Sequence, residues 1–304
     1  MASNTTVQHD KSHPRKALQA LGDILVAPPF QDALTALGLT SLDAIFAFDG
    51  GKDLVKDNIG THRRRLQLET LLPDATQPIK LYLKRYDRPP RLQQLLHWLT
   101  HGRRISFAYA EHETACRLAA AGIDTPHTVT CGRQWGLLFE KRSFLMTREV
   151  AESDSLERKL PTCFSGSATS DTLRQRRDFI RQLAQFVKRF HETGYRHRDL
   201  YFCHIFHSRT GTFCLIDLAR AFRPILRRRF QIKDLAQLHY SAPRDFFSAT
   251  DRLRFYLAYG NRKSLKPSDK SLIATVTKKA ARMARHNRKH RIPVPYLDRT
   301  NEAC

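Results

Sequence analysis

Residues 197–217 read His-Arg-Asp-Leu-Tyr-Phe-Cys-His-Ile-Phe-His-Ser-Arg-Thr-Gly-Thr-Phe-Cys-Leu-Ile-Asp, two apolar runs around a polar turn. This stretch constrains the fold more than any other. Two short strands must leave Arg209-Thr210-Gly211-Thr212 antiparallel to each other. A two-residue Thr210-Gly211 loop would place His204 directly across from Asp217, where Cβ atoms lie about 5 Å apart. An imidazole and a carboxylate at that distance can share one divalent ion. Asp199 lies just upstream, in the loop that feeds the hairpin. Taken singly, Asp199 could cap a turn and His204 could pack in a core. Together with the terminal Asp they make a stronger pattern than either alone.

The flanking chain suggests two lobes. Alternation of apolar and polar residues begins near Ala44 and recurs over 65–69 and 79–86, bounded by Pro78 and Pro89, so these segments read as strands. Residues 106–121 read as a helix closed by Gly122. The apolar stretches 135–140 and 144–150 read as strands. Residues 153–171 are polar, contain Pro161 and Gly166, and read as a connection. Phe179, Leu183, Phe186 and Phe190 then form one apolar stripe of a helix over 172–191, closed by Gly194. Helices are also expected over 234–240, 251–259 and 268–290. A strand-rich first half and a helix-rich second half point to an α+β fold. The expected organisation is an N-terminal extension over 1–40, frayed over 1–14, then an N-lobe over 41–150 and a C-lobe over 151–304.

Phosphoryl transfer needs the chemistry of this hairpin. A carboxylate takes the acceptor proton, and metal ligands neutralise the phosphates. The protein-kinase loop has the form H-R-D-x-x-x-x-N, with a later magnesium Asp in D-F-G. The spacing here is the same, but His204 stands at the Asn position, and Leu218-Ala219 follow Asp217. Lys84 ends a strand as the Lys of V-A-I-K does, with Tyr82 on its face. Glu111 in the following helix is placed to orient Lys84, and Glu113 is the alternative. For Lys84 alone, a solvent-facing strand end is the ordinary reading. No G-x-G-x-x-G or Walker sequence is present. Gly60 is the expected turn over the phosphates, and Gly50-Gly51 competes with it.

His197-Arg198-Asp199-Leu200-Tyr201-Phe202-Cys203-His204, followed by Ile216-Asp217-Leu218-Ala219-Arg220-Ala221, resembles the lipopolysaccharide kinase family of the Kdo/WaaP type. The resemblance extends to Tyr82-Leu83-Lys84-Arg85-Tyr86, Glu111, Thr125-Pro126 and Lys233-Asp234-Leu235, and covers about 41–290 by motif order. It implies a bilobed protein-kinase-like fold. It implies ATP-dependent, Mg2+-assisted phosphorylation of a heptose or Kdo hydroxyl in the lipopolysaccharide inner core. Under it Asp199 is the base, and Lys84, with Glu111 beside it, holds the ATP phosphates. His204 and Asp217 bind the metal, and buried Asp234 anchors the catalytic-loop backbone. Asp234 alone would read as a helix-start carboxylate.

The charge is concentrated. The 304 residues carry 52 Lys plus Arg against 29 Asp plus Glu, a net +23. Residues 262–291 hold eleven bases and one acid, 84–104 six and one, and 220–233 six and none. Such runs call for an anionic partner. For a kinase of a lipid-linked sugar that partner is the lipopolysaccharide core saccharide, with an anionic membrane surface beside it. Residues 262–291 are the expected contact with the membrane or the core saccharide. The competing class is a basic nucleic-acid-binding module, for which no zinc-finger, RRM-like or KH-like signature is present. A third reading is an ATP-binding pseudokinase, supported by the missing glycine-rich sequence. A polycationic acceptor fits a basic cleft poorly. Six irregularly spaced cysteines, no apolar leader and no 18-residue apolar run favour free thiols and a cytoplasmic location; the resemblance implies a peripheral place at the inner face of the inner membrane.

Overall fold

The computed structural model describes residues 17–54, 62–72, 77–164, 169–242 and 246–290. Its contacts divide the chain into two units, one of Met1–Pro89 with His127–Glu149, the other of Pro90–Pro126 with Val150–Cys304. Residues 90–126, inside the span expected as N-lobe, therefore group with the second unit.

The first unit is a seven-stranded antiparallel sheet. Its strands are β1 (Gln19–Leu21), β2 (Ile24–Val26), β3 (Lys52–Asp53), β4 (Arg63–Thr70), β5 (Ile79–Asp87), β6 (Thr128–Trp135) and β7 (Glu140–Arg148), in the order β1-β2-β6-β7-β5-β4-β3. Period-two alternation decides the faces of β5. Leu81, Leu83 and Arg85 face the core, while Tyr82 and Lys84 are half-buried on the other side. Arg85 is buried because its guanidinium donates to the carbonyls of Ile45, Phe46 and Phe48 at 2.7–3.1 Å. Those carbonyls end α2 (Leu42–Ala47), where a cation also meets the negative end of the helix.

Several expectations change here. The segment at Ala44 is helical rather than extended: the Ser41 side chain accepts from Ala44 N, and Leu42 and Ile45 are buried one turn apart. Residues 17–40 are no extension. Ile24 and Val26 on β2 and Leu34 on α1 (Gln31–Ala36) are core residues of the sheet unit. Residues 136–139, within the stretch expected as a strand, are instead the hairpin turn between β6 and β7, closed by Gly136 N to Phe139 O at 2.8 Å, with Leu137 and Leu138 exposed at its tip. Their apolar character imitated a buried strand.

The second unit is mainly helical. Its helices are α3 (Arg91–His101), α4 (Phe107–Ala120), α5 (Leu156–Phe164), α6 (Ser170–Glu192), α7 (Arg227–Ser241), α8 (Ala249–Tyr259) and α9 (Pro267–Lys289). Helix α4 starts where Ser106 accepts from Tyr109 N and stops before Gly122, whose φ of +76° suits glycine. The expected stripe on α6 is buried, with Leu183, Phe186 and Phe190 in the core. Helices α3 and α5 were not anticipated; α5 occupies part of the expected connection and carries Pro161 inside it. A small sheet, β8 (Ser153–Ser155), β9 (Ile205–Ser208) and β10 (Phe213–Leu215), completes the unit. Among the described residues no helix is long and apolar enough to cross a membrane, and the described cysteines, 116, 131, 163, 203 and 214, are free thiols.

Candidate active site

One face of α7 holds the loop 197–204. Asp234, Gln237 and Ser241 follow one another at helical spacing and all are buried. Asp234 is fully enclosed; its two oxygens accept His197 N and Arg198 N, each at 2.8 Å. Gln237 accepts Leu200 N at 3.1 Å and donates to Arg198 O at 2.7 Å. Ser241 Oγ accepts Phe202 N at 3.1 Å. Four loop N–H groups that would otherwise be buried without partners thus end on three side chains of one helix. Further contacts order the helix itself: His191 Nε2 lies 3.3 Å from Asp234, and His191 Nδ1 2.7 Å from the Tyr259 hydroxyl. Burial holds His191 below the usual imidazole range against the pull of Asp234, so it stands neutral and donates.

Asp199 emerges from this frame. Its carboxylate is three-quarters covered, with 24% of the side chain exposed, and both oxygens receive Arg220 Nη1 at 3.0–3.1 Å. Gln237 Nε2 reaches the same carboxylate at 3.5 Å. Lys233, one turn before Gln237, is pushed down by burial while Asp199 draws it up and Arg220 and Arg198 oppose it. Arg198 adopts φ +70°, which turns the chain between the buried His197 and Asp199.

The hairpin differs from its expected register by one residue. Phe213 pairs with His207 and Leu215 with Ile205, so Ile216 rather than Asp217 meets His204, through Ile216 N to His204 O at 3.0 Å. The loop has three residues, Arg209-Thr210-Gly211, closed by Ser208 N to Thr212 O at 2.9 Å, with Gly211 at φ +86°. Asp217 still reaches the histidine because it leaves β10 in the left-handed conformation, φ 56° and ψ 62°. Its Oδ2 lies 3.8 Å from His204 Nε2.

The tautomer of His204 follows from its other nitrogen. Nδ1 lies 2.7 Å from Asp199 O, a carbonyl that can only accept, so Nδ1 carries the proton. Nε2 then presents a lone pair towards Asp217. Burial first, and the neighbouring His197 second, hold His204 below its ordinary range, with Asp217 opposing. The pair is therefore a neutral imidazole beside a carboxylate, too far apart for a hydrogen bond. His197 donates from Nε2 to Ile216 O at 2.9 Å and so ties the loop to the residue before Asp217.

Among the described residues no cluster of three His, Cys, Asp or Glu could hold a metal. A cation at His204 and Asp217 would complete its shell with phosphate and water, which is how Mg2+ is held beside nucleotides. Lys84 lies on β5 in the first unit, paired across the sheet with Arg65 and Leu145. Glu111 lies buried on α4 in the second unit. Gly60 falls outside the described residues. Gly51, its competitor, has φ +92°, and a Cβ there would come within 2.6 Å of Gln67 O, so close backbone approach accounts for that glycine. Arg220, Gln237 and Ser241 were not singled out from the sequence as site residues. Gln237 and Ser241 share a helical face with Asp234, a periodic signal that could have found them.

A family model described as the lipopolysaccharide kinase (Kdo/WaaP) family matches residues 70–259. The lipopolysaccharide core heptose(I) kinase WaaP of Escherichia coli is 28% identical over 189 residues, 59% of this chain and 70% of that one. Its counterpart of the same name from Pseudomonas aeruginosa is 30% identical over 196 residues, 60% of this chain and 70% of that one. A solved structure of WaaP in complex with acyl carrier protein aligns with a TM-score of 0.62 and 24% identity, covering 86% of this chain and 98% of that chain. That likeness establishes a shared fold.

Proposed function

The chain belongs to the lipopolysaccharide kinase (Kdo/WaaP) family, and from that membership we propose that it transfers the γ-phosphoryl group of ATP to a heptose hydroxyl of the lipopolysaccharide inner core. It is a kinase with a protein-kinase-like fold. The observation that carries the reading is the α7-bound loop with Asp199 against Arg220 and His204 beside Asp217. Heptose is preferred to Kdo because the relatives are named heptose(I) kinases. Such an acceptor places the protein at the inner face of the inner membrane, peripherally.

Asp199 is the acceptor's base: it receives the hydroxyl proton as the oxygen bonds to phosphorus and ADP departs. Gln237 and Arg220 hold the carboxylate in place during that transfer, so little reorganisation is needed. His204 and Asp217 are the residues that would hold Mg2+, which when bound supplies positive charge against the phosphates. Lys84 takes the ATP phosphates, Glu111 orients Lys84, and Gly60 is the turn above them. Asp234 anchors the loop.

The reading is tested by ADP release from Mg-ATP with two deacylated acceptors, a heptose-containing core oligosaccharide and a Kdo-only core. Release with the first and not the second is expected. Nucleotide binding without release on either would overturn the proposal in favour of an ATP-binding pseudokinase.

A further outcome concerns Gln237. Replacing it with Met removes one acceptor and one donor from the loop but keeps the volume. We expect kcat to fall by about tenfold to a hundredfold with KM for ATP unchanged, because misplacing a base by about 1 Å costs rate rather than nucleotide affinity. An unchanged kcat would show that Gln237 does not position Asp199.

A further inference from the structure

Helix α3 is amphipathic with its faces reversed. Its buried residues are Gln94 and His97, 1% and 8% exposed. Its leucines face outward: Leu92 is 68% exposed, Leu95 43%, Leu96 55% and Leu99 78%. Their spacing is one helical stripe, so they form a patch rather than scattered residues. The polar face is accommodated inside. His97 stacks on Phe107 with ring centroids 4.3 Å apart, and Trp98 Nε1, on the same side, donates to Ile105 O at 3.1 Å. A helix that buries a histidine and a glutamine while showing four leucines to water calls for an apolar cover.

The charge around the stripe narrows what the cover can be. Within the second unit, Arg91 precedes the first leucine of the stripe and Arg103 and Arg104 follow its last, Arg103 being ion-paired with Glu113. A second copy would bring the same arginines against these, which disfavours self-association. An anionic bilayer meets both demands, with leucines at the acyl boundary and arginines among the headgroup phosphates. Helix α9, the membrane contact expected from charge alone, has no exposed large hydrophobic residue among those described. It can attract such a surface but has nothing to insert.

We propose that the leucine stripe of α3, at Leu92, Leu95, Leu96 and Leu99, is the surface by which this protein docks on a membrane of anionic phospholipid. This rests on the reading that the acceptor is lipid-linked, and it names the element that brings the kinase to it.

The test is co-sedimentation of the full chain with vesicles of phosphatidylglycerol and phosphatidylcholine, and with phosphatidylcholine alone. It requires no turnover, so its failure is separate from failure of the kinase reading, which the soluble acceptor assay reports. Binding to the mixed vesicles that weakens with salt is expected. Leu92→Gln with Leu99→Gln should weaken it by about tenfold or more and leave ADP release on a deacylated acceptor unchanged. Since these side chains are exposed, the fold should survive, which circular dichroism checks. Three results would overturn the proposal. They are unchanged vesicle binding by the double variant, loss that follows only Leu137→Gln with Leu138→Gln or only Ile225→Gln with Leu226→Gln at the other exposed aliphatic pairs, and a leucine-dependent dimer with no vesicle binding.

Discussion

Asp199→Asn is expected to reduce kcat by about 10²–10⁴-fold, the usual range for removing a general base. The substitution keeps shape and an oxygen for Arg220 Nη1, which now lies 3.0 Å from Oδ2. It removes the ability to take the acceptor's proton. The side chain is partly exposed and contributes only its contacts with Arg220 and Gln237, so stability should change by less than about 1 kcal/mol. KM for ATP should hold, because in the proposed role Asp199 would act on the acceptor hydroxyl rather than on the nucleotide. The measurement is steady-state ADP release with urea unfolding on the same preparation. A folded variant that keeps kcat within about threefold of the parent would remove Asp199 from the role of base.

Asp234→Ala should act by another route and lose both stability and activity. The truncation leaves His197 N and Arg198 N buried without an acceptor, where each is now held at 2.8 Å. A buried donor left unpaired costs about 1–3 kcal/mol, so two cost about 2–6 kcal/mol. That is a large part of the stability of an ordinary domain. His191 also loses its acceptor 3.3 Å away. Asp234→Asn should fall between the two, since its amide nitrogen must face one of the donors it replaced an oxygen against. Urea unfolding monitored by circular dichroism measures the cost. A midpoint for Asp234→Ala equal to that of the parent would mean that the loop does not hang from this carboxylate.

How far the site was legible from the sequence differs residue by residue. Asp199, His204 and Asp217 were visible because their order and spacing lie within one short stretch. The hairpin was visible too, since two apolar runs around Thr210-Gly211 leave few alternatives. Its register was not. A three-residue loop with Gly211 in the left-handed region shifts every cross-strand pair by one, and only backbone conformation distinguishes it from a two-residue loop. The pairing argument therefore named Asp217 for a reason that does not hold. It is the positive φ of Asp217, not direct opposition, that returns its carboxylate to His204.

One misread stretch and one helix that was not anticipated share a cause. Residues 136–139 are apolar but form an exposed turn, and α3 shows its leucines while hiding a histidine. Hydrophobic pattern locates a core only when the protein's own interior is what covers the apolar side chains. Where something else covers them, or nothing does, the pattern misleads. The region at Ala44 went wrong for a smaller reason: six residues of helix are too few for its period to stand out against alternation.

By itself, then, the sequence determined the chemistry available and its order along the chain: a histidine-arginine-aspartate loop, a histidine five residues after the aspartate, a later aspartate, and a basic balance of +23. Those are properties of side-chain identity and short spacing, which need no fold to be read. Only the tertiary structure decided which groups meet. Gln237 binds Leu200 from 37 positions away, Arg220 turns back onto Asp199 from 21, and α3 presents leucines where its period alone would have put them inside. Such contacts depend on how helices pack and how a single residue turns: spacing along α7 can put Gln237 on the face of Asp234, but it does not say what that face meets.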